Sequence, residues 1–131
     1  MAPAASTASA TPGSALTNQS SGAWGEDVAL RYLTRLGYTL VERNYRTRRG
    51  EIDLIVRKRD TLVFVEVKLR RTANFGDPLE AVTPHKQTTI RRLAAQYLAD
   101  RNPGFNTLRF DVVGILAGRN DLRIEHIEDA F

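Results

Sequence analysis

Three side chains with chemistry to offer sit on two neighbouring apolar stretches. Asp53 lies in Glu51–Arg57 (EIDLIVR), and Glu66 and Lys68 lie in Leu62–Arg70 (LVFVEVKLR). Both stretches are β-rich and only Lys58–Thr61 separates them, so they read as a hairpin. Side chains alternate along a strand. Ile52, Leu54 and Val56 then share one face of the first strand, with Glu51, Asp53, Ile55 and Arg57 on the other. In the second strand Val63, Val65, Val67 and Leu69 oppose Leu62, Phe64, Glu66, Lys68 and Arg70. If Arg59-Asp60 is a two-residue turn, Asp53 lies opposite Glu66 and Glu51 opposite Lys68, about 5 Å apart. Other even-step registers keep the faces but change these partners, and Arg-Asp is a poor sequence for such a turn.

Like charges directly across a sheet destabilise it. Two carboxylates on a face that also carries Ile55, Leu62 and Phe64 need a proton, a basic partner or a metal ion. The structural alternative is neutralisation by Lys68 and nearby Arg. The chemical alternative is a divalent cation, which polarises a phosphoryl oxygen and acidifies water, with Lys68 stabilising charge at phosphorus. That is metal-assisted phosphodiester hydrolysis. The chain has no Cys, and its two His, His85 and His126, are far apart in sequence, so an oxygen-held Mg²⁺ or Mn²⁺ fits better than Zn²⁺. Phosphate loops, dinucleotide fingerprints, nucleophile elbows and zinc-protease motifs are all missing.

A phosphate-bearing partner also suits the charge. Of 131 residues, 19 are Lys or Arg and 15 Asp or Glu, a formal net charge of +4. The surplus is local to residues 43–71, and most of the basic groups are Arg, the type suited to bidentate phosphate contacts. Arg43, Arg46, Arg48, Arg49, Arg70 and Arg71 flank the hairpin, with Tyr45 and Phe75 available for base stacking.

The elements that must position these groups follow from periodicity. Trp24–Leu36 reads as a helix, with Gly37 as its stop. Glu26 shares a stripe with Ala29, Leu33 and Leu36 and leans toward the core; an acid in a first helical turn is equally explained by the helix dipole. Tyr38–Asn44 reads as a strand and residues 73–81 as a loop. Thr83-Pro84 caps and opens a second helix that runs to about Arg101 and ends at Asn102-Pro103-Gly104. Lys86 and Gln87 lie in its first turn, where phosphate is favoured. Leu108–Ile115 and Leu122–Ile127 complete an α-β-β-β-α-β-β order, which predicts an α/β domain with a mixed sheet and a helix on each side. Asp111, two residues after Arg109 on one strand face, reads as a structural ion pair.

Residues 1–21 carry no charge and are rich in Ala, Ser and Thr. They are expected to be a disordered tail preceding a domain at 22–131. That tail has neither the basic start and apolar middle of a secretory signal nor the Arg of a transit peptide. No apolar run approaches the length of a membrane span. A cytoplasmic protein with no membrane partner fits this inventory.

Glu51-Ile52-Asp53-Leu54 followed by Phe64-Val65-Glu66-Val67-Lys68 resembles the D…E-x-K core of the PD-(D/E)xK nucleases. From about Gly22 onward the chain more closely resembles the YraN-like family of small bacterial proteins. Gly25-Glu26, Arg43-Asn44-Tyr45, Arg49-Gly50-Glu51-Ile52-Asp53, Lys86-Gln87 and Arg109-Phe110-Asp111-Val112-Val113 carry that likeness. The resemblance implies a restriction-endonuclease-like fold, with Asp53 and Glu66 as metal ligands and Lys68 as the catalytic lysine. It also implies that Glu26 is the extra helix glutamate of resolvase-like members. Position 52 is Ile where many superfamily members have Pro. The expected function is a metal-dependent endonuclease acting on branched or structured DNA, with DNA ahead of RNA and homodimerisation by analogy with resolvase-like relatives. The competing expectation is a nucleic-acid-binding module that keeps the fold and uses the carboxylates structurally.

Overall fold

The computed structural model describes residues 18–71 and 78–131. Helix α1 spans Asn18–Arg35, starting six residues ahead of the expected Trp24. The remainder of the expected tail, and Phe75, lie outside the described residues. Helix α1 stops where the sequence said it would. Gly37 takes a φ of 99°, and Tyr38 N–H returns to the Leu33 carbonyl at 3.0 Å.

Three strands follow: β1 (Thr39–Thr47), β2 (Gly50–Lys58) and β3 (Thr61–Arg70). A short 3₁₀ turn at Pro78–Ala81 leads into helix α2 (Pro84–Arg101). Its Thr83 cap accepts from Lys86 N–H at 3.2 Å, Pro84 opens it, and left-handed Asn102 closes it. Strands β4 (Thr107–Ala117) and β5 (Leu122–Ile127) complete the chain order. The strands form one open sheet in the order β1-β2-β3-β4-β5. Only the β3–β4 pair is parallel, because α2 carries the chain across between them. The fold is the expected α/β mixed sheet with helices on its two faces. Among the described residues no helix is long and apolar enough to cross a membrane.

Each helix seals one face. Val28, Ala29 and Leu33 of α1 cover Leu54, Val56, Val63, Val65, Val113 and Ile115. Ile90, Leu93, Ala94 and Tyr97 of α2 cover Tyr45, Ile52, Ile55, Leu62, Phe64, Phe110 and Val112. Fully burying one such side chain contributes about 1.5–3 kcal/mol, so the two layers together drive folding.

Simple alternation fails at one place in β2. Ile52 lies under α2, whereas Leu54 and Val56 lie under α1. The cause is local. The β1–β2 pairing skips Asn44 and Asp53, and Asn44 is left-handed at φ 55°. The β2–β3 pairing follows the expected register but stops at Leu54–Val65. Beyond that pair, Val67 N–H donates to the Asp53 carboxylate at 2.8 Å. The strand therefore turns about Asp53, and residues before it change sides.

Gly114 keeps the 3₁₀ turn close to the sheet beside Lys68, its partner in the parallel ladder. A Cβ there would lie 2.7 Å from Pro78 Cβ. Gly114→Ala is expected to lower stability in urea by about 1–3 kcal/mol, the cost of overpacking a tight contact. An unchanged midpoint would show that the turn yields freely.

Candidate metal centre and nucleic-acid interface

The turn of β2 about Asp53 decides which acids meet. Glu51 passes to the α1 side, where Glu26 projects from the helix. One carboxylate oxygen from each of Glu26, Glu51 and Asp53 lies within 4.8 Å of the others, and all three residues are half-buried. Asn44 holds two of them, donating to Glu26 at 3.0 Å and to Glu51 at 3.1 Å. Its left-handed backbone aims the amide between the two carboxylates, which is the use of the irregular pairing.

Glu66 stays on the α2 side, two residues beyond Phe64. It is buried at 6% exposure and pairs with Lys86 Nζ at 3.2 Å. Asp53 lies between the two groups of acids. Burial and the neighbouring Glu66 push its carboxyl up to about 8, with smaller contributions from Glu26 and Glu51 and opposition from the Val67 N–H. Lys68 is half-buried on β3 and makes no hydrogen bond or ion pair with another described residue.

The expected ligand set was Asp53, Glu66 and Glu26. Asp53 and Glu26 converge with Glu51, and the Glu66 charge acts on Asp53 more strongly than either of them. Sequence reasoning had Glu51 on the acidic face of the hairpin but gave it no ligand role. The signal that could have found it was Asn44, a residue that adopts left-handed φ readily, placed opposite Asp53 in the hairpin register. The donor set is all carboxylate oxygen, which fits a hard cation such as Mg²⁺ or Mn²⁺.

The basic residues gather at the same end of the sheet, but several already have acidic partners. Arg43 bonds Glu26 at 3.3 Å, Asp27 at 2.8 Å and the Ala23 carbonyl at 3.0 Å, fastening α1 to β1. Arg46 bonds Glu51 at 2.7 Å. Arg48 and Arg49 are exposed on the β1–β2 turn, and neither side chain is paired with another described residue. Arg70 is half-buried and Arg71 exposed at the end of β3. The Gln87 amide donates to the Val82 carbonyl at 3.1 Å and so closes the turn before α2. Tyr45, expected to be free for base stacking, is core. It packs edge-on to Tyr97 at 5.1 Å, and its hydroxyl donates to Asp100 at 3.2 Å.

Asp111 is the structural ion pair that the sequence suggested. It is fully buried and accepts two bonds from Arg109 at 2.9 Å, one from the Asp129 N–H at 3.0 Å, and contacts His126 Nε2 at 2.7 Å. Desolvation pushes its carboxyl up, but the hydrogen bonds from His126, Arg109 and Asp129 outweigh this, and the net shift is downward. His85 is exposed, as expected of a surface residue.

Fold and site define a small α/β domain with an acidic centre at one end of an open mixed sheet. The family model described as uncharacterised protein family UPF0102 matches residues 25–115, a span that holds all of these acids and Lys68. A UPF0102 protein of Rhodococcus jostii (strain RHA1) is 51% identical over 115 residues, covering 87% of this chain and 98% of the relative. One from Syntrophomonas wolfei is 46% identical over 114 residues, covering 87% and 99%. One from Dictyoglomus thermophilum is 39% identical over 118 residues, covering 88% and 100%. The chain belongs to the UPF0102, or YraN-like, family, as its motifs suggested.

Proposed function

We propose that the protein is a Mg²⁺- or Mn²⁺-dependent endonuclease that hydrolyses phosphodiester bonds, with structured or branched DNA as its substrate class. The observation that carries this reading is the convergence of Glu26, Glu51 and Asp53 oxygens within 4.8 Å. Glu66 and Lys68 lie on the adjacent strand. Glu26, Glu51 and Asp53 would hold the ion, and Glu66 borders them on the α2 side. The chemistry such an ion supplies is Lewis-acid polarisation of a phosphoryl oxygen and acidification of water. The Lys68 ammonium, which has no partner among the described residues, would orient the attacking water or offset charge developing at phosphorus. The D…E-x-K resemblance supports these roles for Asp53 and Lys68 and adds Glu66 as a further ligand.

One observation favours a second reading. Arg43, Arg46, Asn44 and Lys86 already satisfy much of the acidic cluster. A nucleic-acid-binding module that uses these carboxylates structurally would have that arrangement. The two readings separate in one experiment. Wild-type protein is incubated with Mg²⁺ or Mn²⁺ and a panel of linear, flapped and four-way DNA plus structured RNA. Metal-dependent cleavage supports the nuclease; tight binding with no cleavage of any substrate transfers the conclusion to the binding module.

Nucleic-acid binding itself rests on Arg48 and Arg49, the exposed cations of the β1–β2 turn. Each phosphate contact contributes about 0.9 to the slope of log affinity against log salt on duplex DNA. Arg48→Ala with Arg49→Ala is expected to weaken duplex binding and flatten that slope by about 2. An unaltered slope would show that the turn points away from the nucleic acid.

A further inference from the structure

We infer that Arg46 is a metal-gated phosphate contact: the guanidinium is parked on Glu51 in the metal-free protein, and cation binding at Glu51 releases it to the nucleic acid. This rests on the metal-dependent reading of the acidic centre and adds a means by which metal and nucleic acid recruit each other.

The geometry singles out Arg46 among the basic residues. Its Nε donates to Glu51 Oε1 at 2.7 Å, and Glu51 is its one hydrogen-bonded partner among the described residues, with Glu26 adding a weaker charge attraction. Its side chain is 65% exposed, so it can swing without opening the core. An exposed ion pair of this kind is weak and screened by solvent, so a divalent ion can displace it. Glu51 is also one of the three carboxylates that converge. A cation drawing on Glu51 removes the charge that holds Arg46. Arg43 differs, because Asp27 and the Ala23 carbonyl would keep it in place after Glu26 was drawn away. Arg48 and Arg49, two and three residues further along the same hairpin, have no acidic partner among the described residues and contact phosphate with or without metal.

Binding equilibria then become reciprocal. If the metal strengthens nucleic-acid binding by some factor through Arg46, the nucleic acid strengthens metal binding by the same factor. Simple neutralisation of the acids also gives coupling, but it predicts no special role for Arg46.

The test compares wild type, Arg46→Gln and Arg48→Gln, using a fluorescein-labelled DNA duplex in anisotropy titrations with and without Ca²⁺ or Mg²⁺. Gels confirm that the duplex stays intact. Without metal, Arg46→Gln should bind within about twofold of wild type. With metal it should bind about fivefold more weakly, the low end of site–site coupling, with a salt slope shallower by about 0.9. Arg48→Gln should cost the same in both conditions. Isothermal titration without DNA should show that Arg46→Gln holds metal at least as tightly as wild type, since no counter-ion must leave. The Arg46 Nε–H signal in ¹⁵N NMR should lose its exchange protection when metal alone is added. An equal penalty for Arg46→Gln in both conditions, or a protected Nε–H in the metal-loaded protein, overturns the gating and leaves the metal centre standing. No metal binding by wild type removes the centre and the gate together.

Discussion

Lys68→Ala is expected to slow metal-supported cleavage by roughly 100-fold or more, the usual loss for one charge-stabilising group. Metal and DNA affinities should stay within about twofold of wild type. The expectation follows from placement. Residues two apart on a strand point the same way and lie about 7 Å apart along it. Glu66 is taken up by Lys86, and Asp53 by the Val67 N–H, but Lys68 has no such partner among the described residues. An ammonium on the same strand as Glu66 and without a fixed partner among the described residues is available to a substrate. Arg in its place should restore little, because a planar guanidinium does not match a compact ammonium on a flexible stem. The measurement is single-turnover cleavage with metal and DNA saturating, so that only the chemical step is compared. If Lys68→Ala cuts as fast as wild type, the activity lies at another site or in another protein. If it loses DNA binding instead, Lys68 is a phosphate anchor.

Most of the fold was legible because its signals are local. Gly37, Thr83-Pro84 and Asn102 marked helix ends by their own conformational preferences, and the structure puts the boundaries there. The hairpin register followed from assuming a two-residue turn at Arg59-Asp60, a poor sequence for one, and the strands do pair from Lys58–Thr61 onward, with Arg59 at a left-handed φ of 56°. The ligand set was only partly legible. Alternation put Glu51 and Glu66 on one face, and it holds only while a strand stays regular. Asn44 and Asp53 break the ladder, and that one irregularity moves Glu51 to the helix that carries Glu26. Tyr45 was misread for a related reason. It follows Asn44, so its ring turns into the α2 layer instead of sharing the side of Arg43. The basic cluster was legible as a charge surplus but not as ion pairs, because sequence spacing does not tell which Arg reaches which acid.

Asp53→Asn is expected to reverse the order of stability between metal-free and metal-loaded protein. Burial and the Glu66 charge push the Asp53 carboxyl up to about 8 in the folded chain, against about 3.9 in an unfolded one. Between those values the folded state holds a proton that the unfolded state has released. Stability therefore falls as pH rises through that window and stays low above it. A shift of this kind, after relaxation around the charge, corresponds to a few kcal/mol at about 1.4 kcal/mol per unit. The Asn amide keeps an oxygen for the Val67 N–H but cannot ionise. Without metal, Asp53→Asn should match wild type near pH 4 and exceed it by about 2 kcal/mol above pH 8 in urea titrations. Metal binding requires the ionised carboxylate, so wild-type affinity for Mg²⁺ should rise with pH toward 8, with release of a proton. At a metal concentration of about 100 times the dissociation constant, wild type gains about 2.7 kcal/mol, and Asp53→Asn gains little. The variant is then the more stable protein in chelator and the less stable one in Mg²⁺. If Asp53→Asn is instead less stable than wild type in chelator above pH 8, the carboxylate is held by a basic partner and is part of the scaffold.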